Sequence, residues 1–171
     1  LYHVPQGSLM TLGGKQRIMK AIAFVAPGTH TIFCRDGTNV EFIHHELFHD
    51  FLSDQHPIEK QLMNDVLTEV NLQSDAYDFY RVSCESAYAN ASIDDIIEEI
   101  TADLCEYAMS GSRKMFDRLN GLFEGDALET LAEQAREVFR ANRQDVQKIK
   151  RDSFPRFGRY GRGIPRSHRC S

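Results

Sequence analysis

The segment His45-Glu46-Leu47-Phe48-His49 contains two imidazoles and a carboxylate at a spacing that suits metal chemistry. On an α-helix, residues four apart lie on one face, so His45 and His49 can occupy two corners of a zinc tetrahedron. Glu46 would lie beside the metal, where a carboxylate can take a proton from a zinc-activated water, whose pKa is about 7. The motif therefore predicts zinc-dependent hydrolysis, and the alternative is a structural histidine pair.

A catalytic zinc ion with an open coordination position needs a third protein ligand. The stretch 50–56 lacks the later histidine spacing that is typical of metzincins. The predicted helix over 92–109 offers four candidate ligands instead: Glu98, Glu99, Asp103 and Glu106. On a helical wheel Glu99 and Asp103 fall together at the margin of the isoleucine stripe, whereas Glu98 points to the opposite, solvated side. We therefore predict that Glu99 is the third ligand.

The segment Glu99-Ile100-Thr101-Ala102-Asp103 resembles the E-x-x-x-D segment of gluzincins, the thermolysin-like zinc metallopeptidases. This resemblance implies that Glu99 binds zinc and that Asp103 accepts a hydrogen bond from the outer nitrogen of His45. It also extends to compact zincin-like peptidases of bacteria and phages, a group that includes regulators of mobile elements. The resemblance covers residues 38–54 and 92–109, and it implies an endopeptidase with a peptide or protein substrate.

Two other classes of function stay open. The chain is alternatively a non-catalytic metal-binding module that mediates interaction or regulation inside a larger phage or mobile-element protein. A nucleic-acid binder is the third hypothesis, because residues 151–171 carry six arginines and one acid, interleaved with glycine and aromatic residues. Such a segment can neutralise phosphates and stack on bases. We favour a solvated, disordered or extended tail.

Several residues near the motif have ordinary structural interpretations. His44 projects away from the predicted metal face, and His56 precedes Pro57 at the start of a helix. An additional donor often stabilises the oxyanion of such a reaction. Four tyrosines qualify, and the sequence does not choose between them: Tyr77, Tyr80, Tyr88 and Tyr107.

The elements that must position these residues are predicted from caps and periodicity. Glycines 13–14 indicate a turn, and Ala21–Val25 and Thr31–Cys34 indicate short strands. Thr31–Cys34 is the predicted edge strand for an extended substrate. Capping signals and apolar spacing predict helices over 39–53, from Pro57, over 74–89, over 92–109 and over 127–150. The predicted fold is α+β and zincin-like, with a small N-terminal sheet packed on a mostly helical body.

Length and composition indicate one metallopeptidase domain over residues 1–150, followed by the tail. The 171 residues are 42% hydrophobic and carry a net charge of -5, which predicts a packed core and no general attraction to membranes. The four scattered cysteines favour isolated thiols. Cytoplasmic localisation is favoured because no signal or membrane segment is seen, although the start at Leu1 is typical of a processed chain or a fragment. The oligomeric state is left open.

Overall fold

A computed structural model describes the segments 2–4, 9–12, 15–18, 23–26, 31–35, 43–53 and 56–142. Side chains are described for residues 31–32, 43–52 and 56–142. Three predicted features lie outside the described residues: the capping box at Thr38 and Glu41, the helical turns at 143–150, and the tail at 151–171.

Short strands occupy the first part of the chain: β1 (Tyr2–Val4), β2 (Leu9–Leu12), β3 (Lys15–Ile18), β4 (Ala23–Ala26) and β5 (Thr31–Arg35). β2 and β3 pair antiparallel with Leu12 opposite Lys15, as the predicted turn between them requires. β5 pairs with β1 in parallel and with β4 antiparallel, giving the order β1-β5-β4. The prediction of β5 as an edge strand is therefore wrong, because β1, which carries no strand signal in the sequence, covers its other side.

The helices that follow are α1 (Ile43–Ser53), α2 (Pro57–Glu69), α3 (Asp75–Ala87), α4 (Ile93–Ser110), α5 (Arg113–Leu119) and α6 (Ala127–Ala141). α4 is central, and it packs against each of the other five described helices. Its residues Ile97, Ile100 and Leu104 are buried, as the predicted apolar stripe requires. The mostly apolar faces of the surrounding helices thus share one core around α4.

The predicted α+β class is wrong, because the molecule is mostly helical. Among the residues with described side chains, 77% are helical. Strand is confined there to Thr31 and Ile32, and Ile32 alone of these two joins the buried core. The reason is physical: the core of the described residues forms by packing of helices around α4.

Local sequence signals explain most helix boundaries. The Ser92 side chain accepts a hydrogen bond from the backbone of Asp95, whose carboxylate in turn accepts one from the backbone of Ser92. Gly111 ends α4 with a φ of 65°, a left-handed conformation that costs glycine little. Ser74 caps α3, and Pro57 opens α2. These predicted starts are confirmed, whereas the seven residues of α5 are too few to show periodicity.

Candidate metal centre

α1 presents its two histidines on the side that faces α4. Phe48 and Phe51 are buried elsewhere on this helix, whereas the side chains of His45 and His49 keep exposed fractions of 19% and 18%. The first turn of α1 is fixed by the carboxylate of Glu106, which accepts hydrogen bonds from the backbone amides of His44 and His45. Burial raises the pKa of Glu106 to about 7, although these amides lower it. An acid at this position also complements the positive end of the helix dipole.

The structure brings together the three predicted ligands, His45, His49 and Glu99. One ligand atom from each lies within 4.8 Å of the others, and no other such group occurs among the described residues. The two Nε2 atoms are 3.2 Å apart. Glu99 Oε2 lies 3.4 Å from His45 Nε2, and Glu99 Oε1 lies 3.7 Å from His49 Nε2. Two nitrogens and a carboxylate at this proximity form a donor set that zinc accepts.

The outer nitrogens of both histidines are held by acids of α4. His45 Nδ1 lies 2.9 Å from Asp103 Oδ1, as the family resemblance implied. His49 Nδ1 lies 2.6 Å from Glu98 Oε1. The prediction that Glu98 points to the opposite, solvated side is therefore wrong. Its side chain has an exposed fraction of 33%, and it reaches the second histidine from the position beside Glu99.

These contacts decide where the protons of the imidazoles lie. A carboxylate accepts hydrogen bonds, so the Nδ1 atoms of His45 and His49 act as donors. In the neutral tautomers the Nε2 lone pairs then converge on each other and on the carboxylate of Glu99. The two lone pairs and the carboxylate repel one another unless a positive charge lies among them. The donor set therefore fits a metal cation, and zinc in particular because two of the three ligands are imidazoles.

The electrostatics of the side chains agree with a site for positive charge. Burial disfavours the imidazolium of His45, yet the hydrogen bonds and charges of Asp103 and Glu99 outweigh it and raise its pKa to about 10. Burial opposes ionisation of Glu99, but the two imidazoles and Tyr88 bring its pKa below the usual value. Both shifts favour positive charge on the histidine side and negative charge on the carboxylate side of the cluster.

Glu46 lies beside the three ligands without joining them. It is buried, with an exposed fraction of 9%. Burial raises its pKa, and the nearby charge of Glu99 raises it further, whereas His45 and His49 lower it. A buried carboxylate in this position suits proton transfer close to the metal.

Asp103 has two additional donors that the sequence did not reveal. The Tyr80 hydroxyl donates to Asp103 Oδ2 over 2.6 Å, and Arg118 Nη1 donates to the same oxygen over 2.9 Å. Burial opposes the charge of Asp103, but His45, Tyr80 and Arg118 lower its pKa to about 2. Asp103 is therefore ionised and acts purely as an acceptor toward His45.

Tyr88 is the tyrosine that contacts a predicted ligand. Its hydroxyl donates to Glu99 Oε1 over 2.9 Å, and its side chain is exposed at the rim of the site. Tyr80 lies within α3, whereas Tyr88 is the extended residue that follows its last turn, so helical spacing in the sequence could not have paired both with α4. Tyr107 instead donates to Glu129, away from the cluster.

The remaining candidate histidines lie outside the cluster. The ring of His44 packs edge-on against Phe139, with Nδ1 3.8 Å from a carboxylate oxygen of Glu106. His56 is the residue before α2, so its interpretation as a helix start is confirmed. Cys84 and Cys105 are free and buried, in agreement with isolated thiols within the described part of the chain.

No family model, curated protein or solved structure matches this chain. Among the described helices, none combines the length and apolar character that crossing a bilayer requires.

Proposed function

We infer that this chain is a zinc-dependent peptidase in which His45, His49 and Glu99 hold the metal and Glu46 is the general base. The observation that carries this proposal is the convergence of three ligand atoms within 4.8 Å, with a buried carboxylate beside them. Three protein ligands leave a coordination position for water or substrate, which distinguishes catalytic zinc sites from closed structural ones. A bound zinc ion would activate a water molecule and polarise the peptide carbonyl.

Glu46 supplies the proton transfer in this proposal. Its carboxylate takes a proton from the attacking water and then returns it to the nitrogen of the departing amine. Burial raises the pKa of Glu46, so its carboxylate is a stronger base than one in water. His45 precedes it and His49 follows it on the same helix, so the proposed base and the proposed ligands lie close together on α1.

β4 is the strand best placed to hold a substrate. It is an outer strand of the order β1-β5-β4, and it contacts α1. Its second edge is unpaired within the described strands, and such an edge can hydrogen-bond an extended peptide backbone beside α1. This assignment replaces β5, whose two edges are both paired within the described sheet.

The test compares zinc-loaded native protein with Glu46→Gln and His49→Ala on an unbiased peptide mixture, with cleavage followed by mass spectrometry. We expect Glu46→Gln to bind zinc like the native chain but to cleave at least about 100-fold more slowly, because the base is lost while the ligands stay. His49→Ala should lose both zinc and activity. Zinc binding without any cleavage would favour the non-catalytic metal-binding module, and equal cleavage by Glu46→Gln would contradict the proposed base.

A further inference from the structure

The contact between His49 and Glu98 is distinct from the contact between His45 and Asp103. Asp103 accepts hydrogen bonds from three described groups and is buried, so its charge is shared between His45, Tyr80 and Arg118. Glu98 has one described hydrogen-bond partner, His49 Nδ1, at 2.6 Å. A third of its side chain is exposed to solvent.

We propose that Glu98 is a positioning residue for His49, which makes this a site in which each histidine ligand has its own carboxylate partner. The proposal rests on the metal site of the proposed function. Glu98 does not reach the metal itself, since the three converging ligands are His45, His49 and Glu99. It acts through the imidazole, by accepting the Nδ1 proton of His49 and so directing the Nε2 lone pair toward Glu99 and His45.

The way in which α1 and α4 cross explains why each histidine meets a different acid. His49 follows His45 by one turn of α1, whereas Glu98 precedes Asp103 on α4. The later histidine therefore meets the earlier acid, as in an antiparallel crossing. In the sequence of α4, Glu99 lies between the two acids Glu98 and Asp103. Its carboxylate faces the Nε2 atoms of both histidines. One helix thus supplies the third ligand together with both acids that orient the other two.

A surface ion pair is the alternative explanation of the contact, and it makes a different prediction. An exposed pair contributes little to stability, and its loss would leave the ring of His49 free to bind metal equally well. A positioning residue affects the metal directly, because removing the hydrogen-bond partner of a ligating histidine lowers metal affinity by about 10–100-fold.

The experiment measures zinc affinity by competition with a chelating dye for the native chain, Glu98→Ala, Glu98→Gln and Asp94→Ala. Asp94 is an exposed acid on the same helix, so its removal is a control for the loss of one negative charge. We expect Glu98→Ala to bind zinc about 10–100-fold more weakly and Asp94→Ala to bind within about twofold of native. Glu98→Gln should recover much of the loss, since the amide oxygen still accepts the Nδ1 proton.

A second readout follows the proton itself. Nitrogen-15 NMR of the histidine rings in the native zinc-loaded protein should show His49 protonated at Nδ1, with faster exchange of that proton in Glu98→Ala. The inference is overturned if Glu98→Ala binds zinc as tightly as native protein, or if native His49 carries its proton on Nε2. The first of those results leaves the metal site standing, whereas a proton on Nε2 of His49 would also rule out metal ligation through that atom. Failure of the native chain to bind zinc would overturn the inference and the proposed function together.

Discussion

The Nδ1 atom of His45 lies 2.9 Å from Oδ1 of Asp103, a contact that joins residues 58 positions apart in sequence. Asp103 is itself held by Tyr80 from α3 and Arg118 from α5. The orientation of one proposed metal ligand therefore depends on three helices besides its own. Mutations in those helices should affect zinc binding without touching a ligand.

Asp103→Asn should lower zinc affinity by about 10–100-fold. The amide keeps one acceptor oxygen, but it loses the negative charge. If that oxygen faces His45, the amide NH2 faces the Tyr80 hydroxyl and the Arg118 guanidinium, which are donors themselves. The measurement is a zinc titration of the folded variant, with Asp94→Asn as a control that removes a charge elsewhere on α4. Unchanged affinity in Asp103→Asn would contradict a role for Asp103 in orienting His45.

Zinc should stabilise the folded chain, because the ligands converge only when α1 packs against α4. At a free zinc concentration 100-fold above Kd, we expect the free energy of unfolding to rise by about 2.7 kcal/mol. A chelator should reverse the effect, and His49→Ala should abolish it. Magnesium is a useful control, because it prefers an octahedral shell of oxygen ligands. Equal stability of the native chain with and without zinc would argue against the site.

Ser92→Ala should destabilise the protein by about 1 kcal/mol, because the Ser92 hydroxyl satisfies a free amide at the start of α4. Ser86→Ala is the matched control, since that hydroxyl lies within α3 and bonds only to a carbonyl of its own helix. Urea unfolding measures the free energy of unfolding of both variants. A loss no larger in Ser92→Ala than in Ser86→Ala would show that the cap contributes nothing.

The contribution of Asp95, the second residue of this capping box, to the stability of the protein should depend on pH. Hydrogen bonds from the backbone and side chain of Ser92 lower the pKa of Asp95 below its ordinary value of 3.8. Because the folded state favours the carboxylate, its contribution is present above that value and is lost as the pH falls through the lowered pKa. The difference in stability between native protein and Asp95→Ala should therefore shrink in acid. A difference that grows as the pH falls would reverse the sign we expect.

Asn142→Ala tests a buried carboxylate far from the site. Asn142 Nδ2 donates to Glu59 Oε1 over 2.8 Å, and Glu59 is fully buried, with no described partner at its other oxygen. Removing this donor should destabilise the fold by about 1–3 kcal/mol. Asn64→Ala, at an exposed position of α2, is the control in thermal unfolding. If both variants unfold like native protein, the buried contact is not stabilising.

Much of the site could be predicted from local signals. The spacing of His45, Glu46 and His49 fixes a common face as soon as α1 forms, and the capping box at Ser92 sets the phase of α4. The prediction that Glu99 and Asp103 face α1 required only the positions of residues on these two helices. The three predicted ligands do converge, although convergence alone leaves activity a proposal.

The partners of these residues could not be predicted in the same way. Glu98 was assigned to solvent because a helical wheel does not say where the neighbouring helix crosses, and a long side chain can reach around that crossing. Arg118 lies on α5, which is too short to show periodicity. The fold class was wrong for a similar reason. Strand signals are visible in the sequence, but the packing of five helices around α4, which forms the described core, depends on tertiary contacts.

Zinc K-edge X-ray absorption of the purified, zinc-supplied chain tests the central claim most directly. We expect about one zinc ion per chain with two imidazole nitrogens near 2.0 Å and oxygen ligands for the remainder. His49→Ala should lose one imidazole from that signal or lose the metal altogether. A native chain that binds no zinc, or that holds it with oxygen ligands alone, would contradict a metal centre built from His45, His49 and Glu99.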